Sequence, residues 1–151
     1  MDDALSQAIF APRGVALIGA SADPTKNNSR PQRLLQREGF AGRIVPVNPG
    51  RAEIMGLPAV ADIRDADGPI DHAFIMVPAP AVPAAIEGCC AIGVKVATIF
   101  SAGFAEAGEE GAALQRRIVD TARRGGMRLL GPNCLGLISV PDRLALTTNM
   151  A

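Results

Sequence analysis

A doubly wound α/β fold, three layers with helices on both faces of a five-stranded, mainly parallel sheet, is what the 151-residue chain predicts. Three observations lead there. Short apolar runs rich in Val, Ile and Leu alternate with segments of helical length, the order that builds a parallel sheet. Those runs are apolar throughout rather than at every second residue, as burial on both faces demands. Each principal run also stops at a small-residue or Pro-containing loop, and in such folds those loops share the carboxyl edge where ligands bind.

Residues 1–13 read as a short helical lead-in, Ala4 to Ile9, closed by Ala11-Pro12-Arg13. Val15 to Ile18 is the first strand, too short for a helix and rich in branched residues. It breaks into Gly19-Ala20-Ser21, three small residues that allow a tight turn and close approach of a ligand. Ser29 is placed to cap the next helix, with Pro31 just inside it and Leu34 and Leu35 facing inward; Gly39 ends it. Arg43 to Val47 is the second strand, stopped by Asn48-Pro49-Gly50, with Arg51 projecting from the edge. Glu53 to Val60 reads as a turn into a brief extended piece, and Asp62 to Asp65 as one helical turn. Asp71 to Val77 is the third strong strand, halted by the kink Pro78-Ala79-Pro80, whose prolines keep the residues before them out of helix geometry.

A helix from about Val82 to Ile92 precedes a fourth strand, Val94 to Phe100, which ends at Ser101-Ala102-Gly103-Phe104. Gly108 to Arg124 gives the strongest helical pattern, with Leu114, Ile118 and Ala122 recurring every fourth residue. Glu106, Glu109 and Glu110 at its start and Arg123 and Arg124 at its end suit the helix dipole, which explains that acidic cluster without a ligand. Met127 to Leu130 is the fifth strand, broken by Gly131-Pro132-Asn133-Cys134-Leu135-Gly136. The tail from Leu137 to Ala151 reads as extended, so the expected division is a ligand-binding body over 1–136 and an extended segment over 137–151 leading towards a second domain.

Composition removes several function classes. A single domain of this length buries roughly 70% of its unfolded surface, enough for a core without disulfide or metal staples. Lys plus Arg and Asp plus Glu are 15 each, and only 3% of residues are aromatic. A nucleic-acid reader would need basic excess or stacking rings, so none is expected as partner. No apolar run approaches a membrane span, and the acidic start Met1-Asp2-Asp3 is no secretory leader, which makes the cytoplasm the expected location. Of the three cysteines, Cys89 and Cys90 are adjacent, neither zinc nor redox spacing, and the one histidine leaves few metal ligands. His72 opens a strand, at the amino edge, which argues against a catalytic role.

The first loop carries the sharpest chemical signal. A strand that breaks into a small-residue turn before a helix offers amides and a positive helix end to an anion. A nicotinamide site would want Gly-x-Gly-x-x-Gly here. The chain has Gly19-x-Ser21-x-Asp23-Pro24 instead, and Asn48-Pro49 stand where an acid would take a ribose hydroxyl.

Taken together, Gly19-Ala20-Ser21, Pro46-Val47-Asn48-Pro49, Val77-Pro78-Ala79-Pro80, Ser101-Ala102-Gly103-Phe104 and Gly131-Pro132-Asn133-Cys134-Leu135-Gly136 resemble the CoA-binding domain of the NDP-forming (ADP-forming) acyl-CoA synthetases. That family includes the alpha subunit of succinyl-CoA synthetase, and the likeness runs in order from about Phe10 to Ala145. It implies a Rossmann-like sheet with coenzyme A, or an acyl-CoA, across its carboxyl edge. Gly19 and Ala20 would belong to the cofactor-binding loop, and Ser21, Ala22, Asp23 and Pro24 would hold the nucleotide-pyrophosphate end. Lys26 is either a phosphate contact or solvated. Asn48, Pro49 and Arg51 would follow, Arg51 standing where the family often has a phosphate-binding lysine. Val77, Pro78, Ala79 and Pro80 would be an apolar wall; Ser101, Ala102 and Gly103 would line the adenine or pantetheine path. Asn133 and Cys134 would lie towards the thiol. A family glycine just after Lys26 is here Asn28. The resemblance also implies that ATP or ADP is handled by a phosphohistidine domain and an ATP-grasp domain outside these residues, so this chain alone would bind CoA and turn nothing over. Two other readings stay open at this point: a CoA-binding regulatory module, standalone or of a protein lysine acetyltransferase, and an NAD(P)-binding oxidoreductase domain.

Overall fold

The computed structural model describes residues 2–149; the ends of the lead-in (residue 1) and of the expected extended tail (150–151) lie outside the described residues. The strands are β1 (Gly14–Ile18), β2 (Arg43–Val47), β3 (Glu53–Ile54), β4 (Leu57–Pro58), β5 (His72–Ile75), β6 (Val96–Ile99), β7 (Arg128–Leu130), β8 (Gly136–Ser139) and β9 (Leu144–Thr147). The helices are α1 (Asp3–Phe10), α2 (Arg30–Glu38), α3 (Val82–Ala91) and α4 (Glu109–Arg124). The main sheet has five strands in the order β2-β1-β5-β6-β7. Every pairing in it is parallel.

Central strands are buried end to end in β1, β5 and β6, which is why they read as unbroken apolar runs. The sheet splits its side chains between two cores. Ala16, Ile18, Ala73 and Ile75 face Ile86 of α3 and Ile118 of α4. Val15, Leu17 and Phe74 face the other way, onto Leu35 of α2 and Leu144 and Leu146 of β9. Three layers follow from that division.

Residues 136–147 form an antiparallel hairpin, β8 with β9, and Leu144 and Leu146 are fully buried. Residues 137–147 of the expected extended tail are therefore part of the body: with α2 they cover one sheet face. The turn Glu53–Pro58 is a small antiparallel ladder, β3 with β4, whose Ile54 is buried in the same core. Gly39 ends α2 in the left-handed region, as its position predicted. Ser29 does not cap α2; a 3-10 turn, Asn27–Ser29, comes first and the Ser29 hydroxyl donates to the Lys26 carbonyl at 2.8 Å.

At the amino edge, Arg13 grips Asp71 with its side chain and its backbone N–H, at 2.7–2.9 Å. The guanidinium holds the Asp71 carboxyl below its ordinary range. His72 is fully buried beside this pair. Its Nδ1 lies 3.2 Å from the Ala8 carbonyl of α1, and its Nε2 lies 2.7 Å from the Thr98 hydroxyl. A carbonyl can only accept, so Nδ1 carries the proton and Nε2 accepts from Thr98. Desolvation pushes its pKa down to about 4, which keeps the ring neutral.

Candidate coenzyme-binding edge

Because all five strands run the same way, the loops after β1, β2, β5, β6 and β7 lie along one carboxyl edge. The chain passes from β1 outward to β2, then returns to the other side of β1 with β5. The topological switch, where such folds form their ligand crevice, is between the β1 and β5 loops. Gly19 sits there at φ 85°, and a Cβ on it would come within 3.0 Å of the Met76 carbonyl and of Val77. Both the handedness and the close approach call for glycine.

Side chains and amides staple the loops to one another. Asn48 Nδ2 donates to the Ala20 carbonyl at 2.9 Å, while its Oδ1 accepts from Gly50 N–H at 2.8 Å. Asn28 Nδ2 donates to the Gly19 carbonyl at 2.6 Å. The Ser101 hydroxyl donates to the Val77 carbonyl, joining the β5 and β6 loops. Asn133 N–H donates to the Ser101 carbonyl and Cys134 N–H to the Ile99 carbonyl, both at 3.0 Å, joining β6 to the loop after β7. Asn133 achieves this at φ 54°, a region asparagine tolerates.

These bonds sort the sequence-predicted residues. Ala20 is buried in the core, so its methyl faces away from the edge. Asn48 and Ser101 spend their polar groups on neighbouring loops. Ser21 Oγ accepts from Asp23 N–H at 3.1 Å, and Asp23 accepts from the Thr25 N–H and hydroxyl at 2.9 and 2.7 Å. That lowers the Asp23 pKa, its hydroxyl bond to Thr25 first. The first loop is thus held by its own side chains. Ala22, Pro24, Lys26, Pro49 and Arg51 are exposed along the edge, as are Pro78, Pro80, Ala102 and Asn133. Val77, Ala79, Gly103 and Cys134 are half-buried between them. His72 lies at the opposite edge, with the ligand loops on the far side of the sheet.

Charge divides the edge. Lys26 and Arg51 project from its β1–β2 end, where Arg33 and Arg30 of α2 also reach the Pro24 and Thr148 carbonyls at 3.3 and 3.1 Å. Glu106, Glu109 and Glu110 stand at the β6 end. Glu106 was expected to serve the start of α4. It lies instead in a 3-10 turn ahead of that helix and accepts from the Gly103 and Phe104 amides, the latter at 3.1 Å. Those backbone bonds lower its pKa, Gly103 first. Asn28 and Glu106 are the contributors that residue patterns missed; an acid three residues past a loop glycine was the only signal for the second.

Among the described residues no helix is long and apolar enough to cross a membrane, and no cluster of His, Cys, Asp and Glu is placed to hold a metal. Cys89 is buried, with desolvation pushing its thiol up to about 12, and Cys90 is half-buried.

Comparison with known proteins agrees with this geometry. The alpha subunit of acetate–CoA ligase (ADP-forming) I from Pyrococcus furiosus is 42% identical over 145 residues, 93% of this chain and 31% of the relative. Acetate–CoA ligase (ADP-forming) I from Archaeoglobus fulgidus is 43% identical over 131 residues, 87% of this chain and 19% of the relative. The solved structure of dinucleotide forming acetyl-coenzyme A synthetase 1 of Ca. Korarchaeum cryptofilum, in complex with phosphate and ADP, superposes with a TM-score of 0.91 at 36% identity. It covers 97% of this chain and 31% of that one. The chain thus spans about a third or less of the length of these relatives. Residues 13–139 match the CoA binding domain family, with the five parallel strands and all five edge loops inside the match, and the chain belongs to that family.

Proposed function

We propose that this chain is the coenzyme A-holding part of an ADP-forming acyl-CoA synthetase, which joins an acid to CoA with conversion of ATP to ADP and phosphate. The observation that carries this reading is the single carboxyl edge, with five loops in family order and cations confined to its β1–β2 end. CoA has the matching asymmetry. Its 3′-phosphate and pyrophosphate are anionic, and its pantetheine arm is neutral. The phosphates lie over Gly19–Lys26 and Arg51, whose guanidinium can grip a phosphate as a fork. The neutral remainder runs past the Val77–Pro80 wall and Ser101–Gly103, away from repulsive contact between the phosphates and Glu106. The thiol end lies near Asn133 and Cys134.

In the rest of such a synthetase, a phosphohistidine domain and an ATP-grasp domain handle the nucleotide. The exposed apolar side chains Leu135, Ile138 and Val140 support a covering partner over them. The cytoplasm, where CoA and ATP meet, is the compartment that suits this activity. A nicotinamide site is disfavoured by Asn48, whose amide is committed to Ala20 where an acid would be wanted.

Calorimetric titration of the 151-residue chain with CoA, dephospho-CoA and ADP tests the proposal. CoA binds, ADP alone does so weakly or not at all, and Arg51→Ala weakens CoA more than dephospho-CoA. Absence of heat with either coenzyme form contradicts the reading.

A further inference from the structure

In the loop after β6, three successive amides are taken up by side chains of the chain itself. Gly103 and Phe104 N–H both donate to one oxygen of Glu106, and Ala105 N–H donates to Gln115 Oε1 of α4 at 3.2 Å. Consecutive amides converging on one point form a concave anion holder. Here the anion is the chain's own carboxylate, placed three residues along.

The rest of the loop is fitted tightly beneath that clamp. The Phe104 ring is fully buried in the α3–α4 core. A Cβ on Gly111 would lie 1.9 Å from the Phe104 carbonyl, so α4 approaches the loop as closely as a backbone can. Gly103, at φ 101°, stands where an added Cβ would be 3.3 Å from the Ala79 methyl of the β5 loop. Ser101, two residues earlier, is tied to Val77. The Gly103 amide therefore has its direction fixed from one side by Glu106, and its position from the other by Ala79.

We propose that Glu106 is a positioning residue of the CoA site: its carboxylate replaces a ligand anion in the Gly103–Phe104 holder and sets the Ser101–Gly103 wall before CoA arrives. One consequence follows for recognition: the negative charge of Glu106 at this end keeps the phosphates at the opposite, cationic end of the edge. The inference rests on the reading that CoA passes this loop.

The test compares the 151-residue wild type with Glu106→Gln and Glu106→Ala by calorimetry with CoA and by amide proton NMR. Wild-type binding of CoA examines the underlying reading by itself; the variants examine only the inference. Glu106→Ala is expected to weaken CoA about tenfold, and Glu106→Gln, which keeps an acceptor but not the charge, by less. The Gly103 and Phe104 amide protons are expected to move upfield in both variants. If Glu106→Ala fails to fold, Glu106→Gln with the same two readouts decides. Unchanged or tighter CoA binding in a variant that has lost those amide shifts overturns the proposal, because the carboxylate would then be neutral to the ligand or in its way.

Discussion

Acidification should destabilise this protein through one side chain, His72, well before its carboxylates are protonated. The chain has a single histidine, so nothing else in it titrates with an ordinary value between the carboxylates and the α-amino group. Folded, the ring is sealed between α1 and β6 and its pKa falls from 6.5 to about 4; unfolded, it regains the ordinary value. Between those limits the unfolded chain binds the extra proton, so stability rises with pH there and is lost as pH falls. The slope is about 1.4 kcal/mol per pH unit, and the whole shift amounts to about 3 kcal/mol. From about pH 7.5 to about pH 5.5 the expected loss is about 1.3 kcal/mol. Urea unfolding at those two values measures it, with His72→Gln as the control. The variant starts from lower stability but stays flat over the interval. Equal wild-type stability at both pH values, or a native imidazole titrating near 6.5 by NMR, would refute the burial argument and reopen a chemical role for this histidine.

Other substitutions probe the edge itself. Gly19→Ala forces a methyl against Met76 and Val77 at a positive φ, and should cost about 1–3 kcal/mol by thermal unfolding while weakening CoA. Asn48→Ala leaves the Ala20 carbonyl without its partner and should cost about 1–3 kcal/mol, with CoA affinity falling in the same calorimetric assay. Gly111→Ala drives a methyl into the Phe104 carbonyl; loss of the Phe104 packing should show as a thermal shift larger than that of Gly126→Ala, where an added Cβ meets nothing within 4 Å and only the backbone at φ 70° is strained.

The sheet was legible because its signal is local. Strands buried on both faces leave apolar runs, and those covering β1, β2, β5, β6 and β7 were read with ends shifted by at most two residues. The hairpin was not. Its strands are short, Ile138 faces outward, and its register depends on Gly136 at φ 110°, packed against Leu146 and Thr147 far along the chain. Nor could Ser29 announce that a 3-10 turn would precede α2 and use its hydroxyl. At the edge, the loops themselves could be found from small residues and prolines. The division of labour inside them could not. Whether Asn48 and Ser101 face a ligand or a neighbouring loop is decided by which carbonyl the fold brings within about 3 Å, a fact with no trace in spacing. Glu106 shows the same limit: near a helix start its charge had a sufficient explanation, and only the folded loop reveals two amides waiting for it.

The most direct measurement is a map of amide shifts as the 151-residue chain is titrated with CoA. The perturbed residues are expected to cluster at 19–24, 48–51, 77–80, 101–103 and 133–134, with the amino edge around Arg13, Asp71 and His72 silent. Saturable shifts centred on that amino edge, or on the face of α2 and the β8–β9 hairpin, would contradict the proposed site.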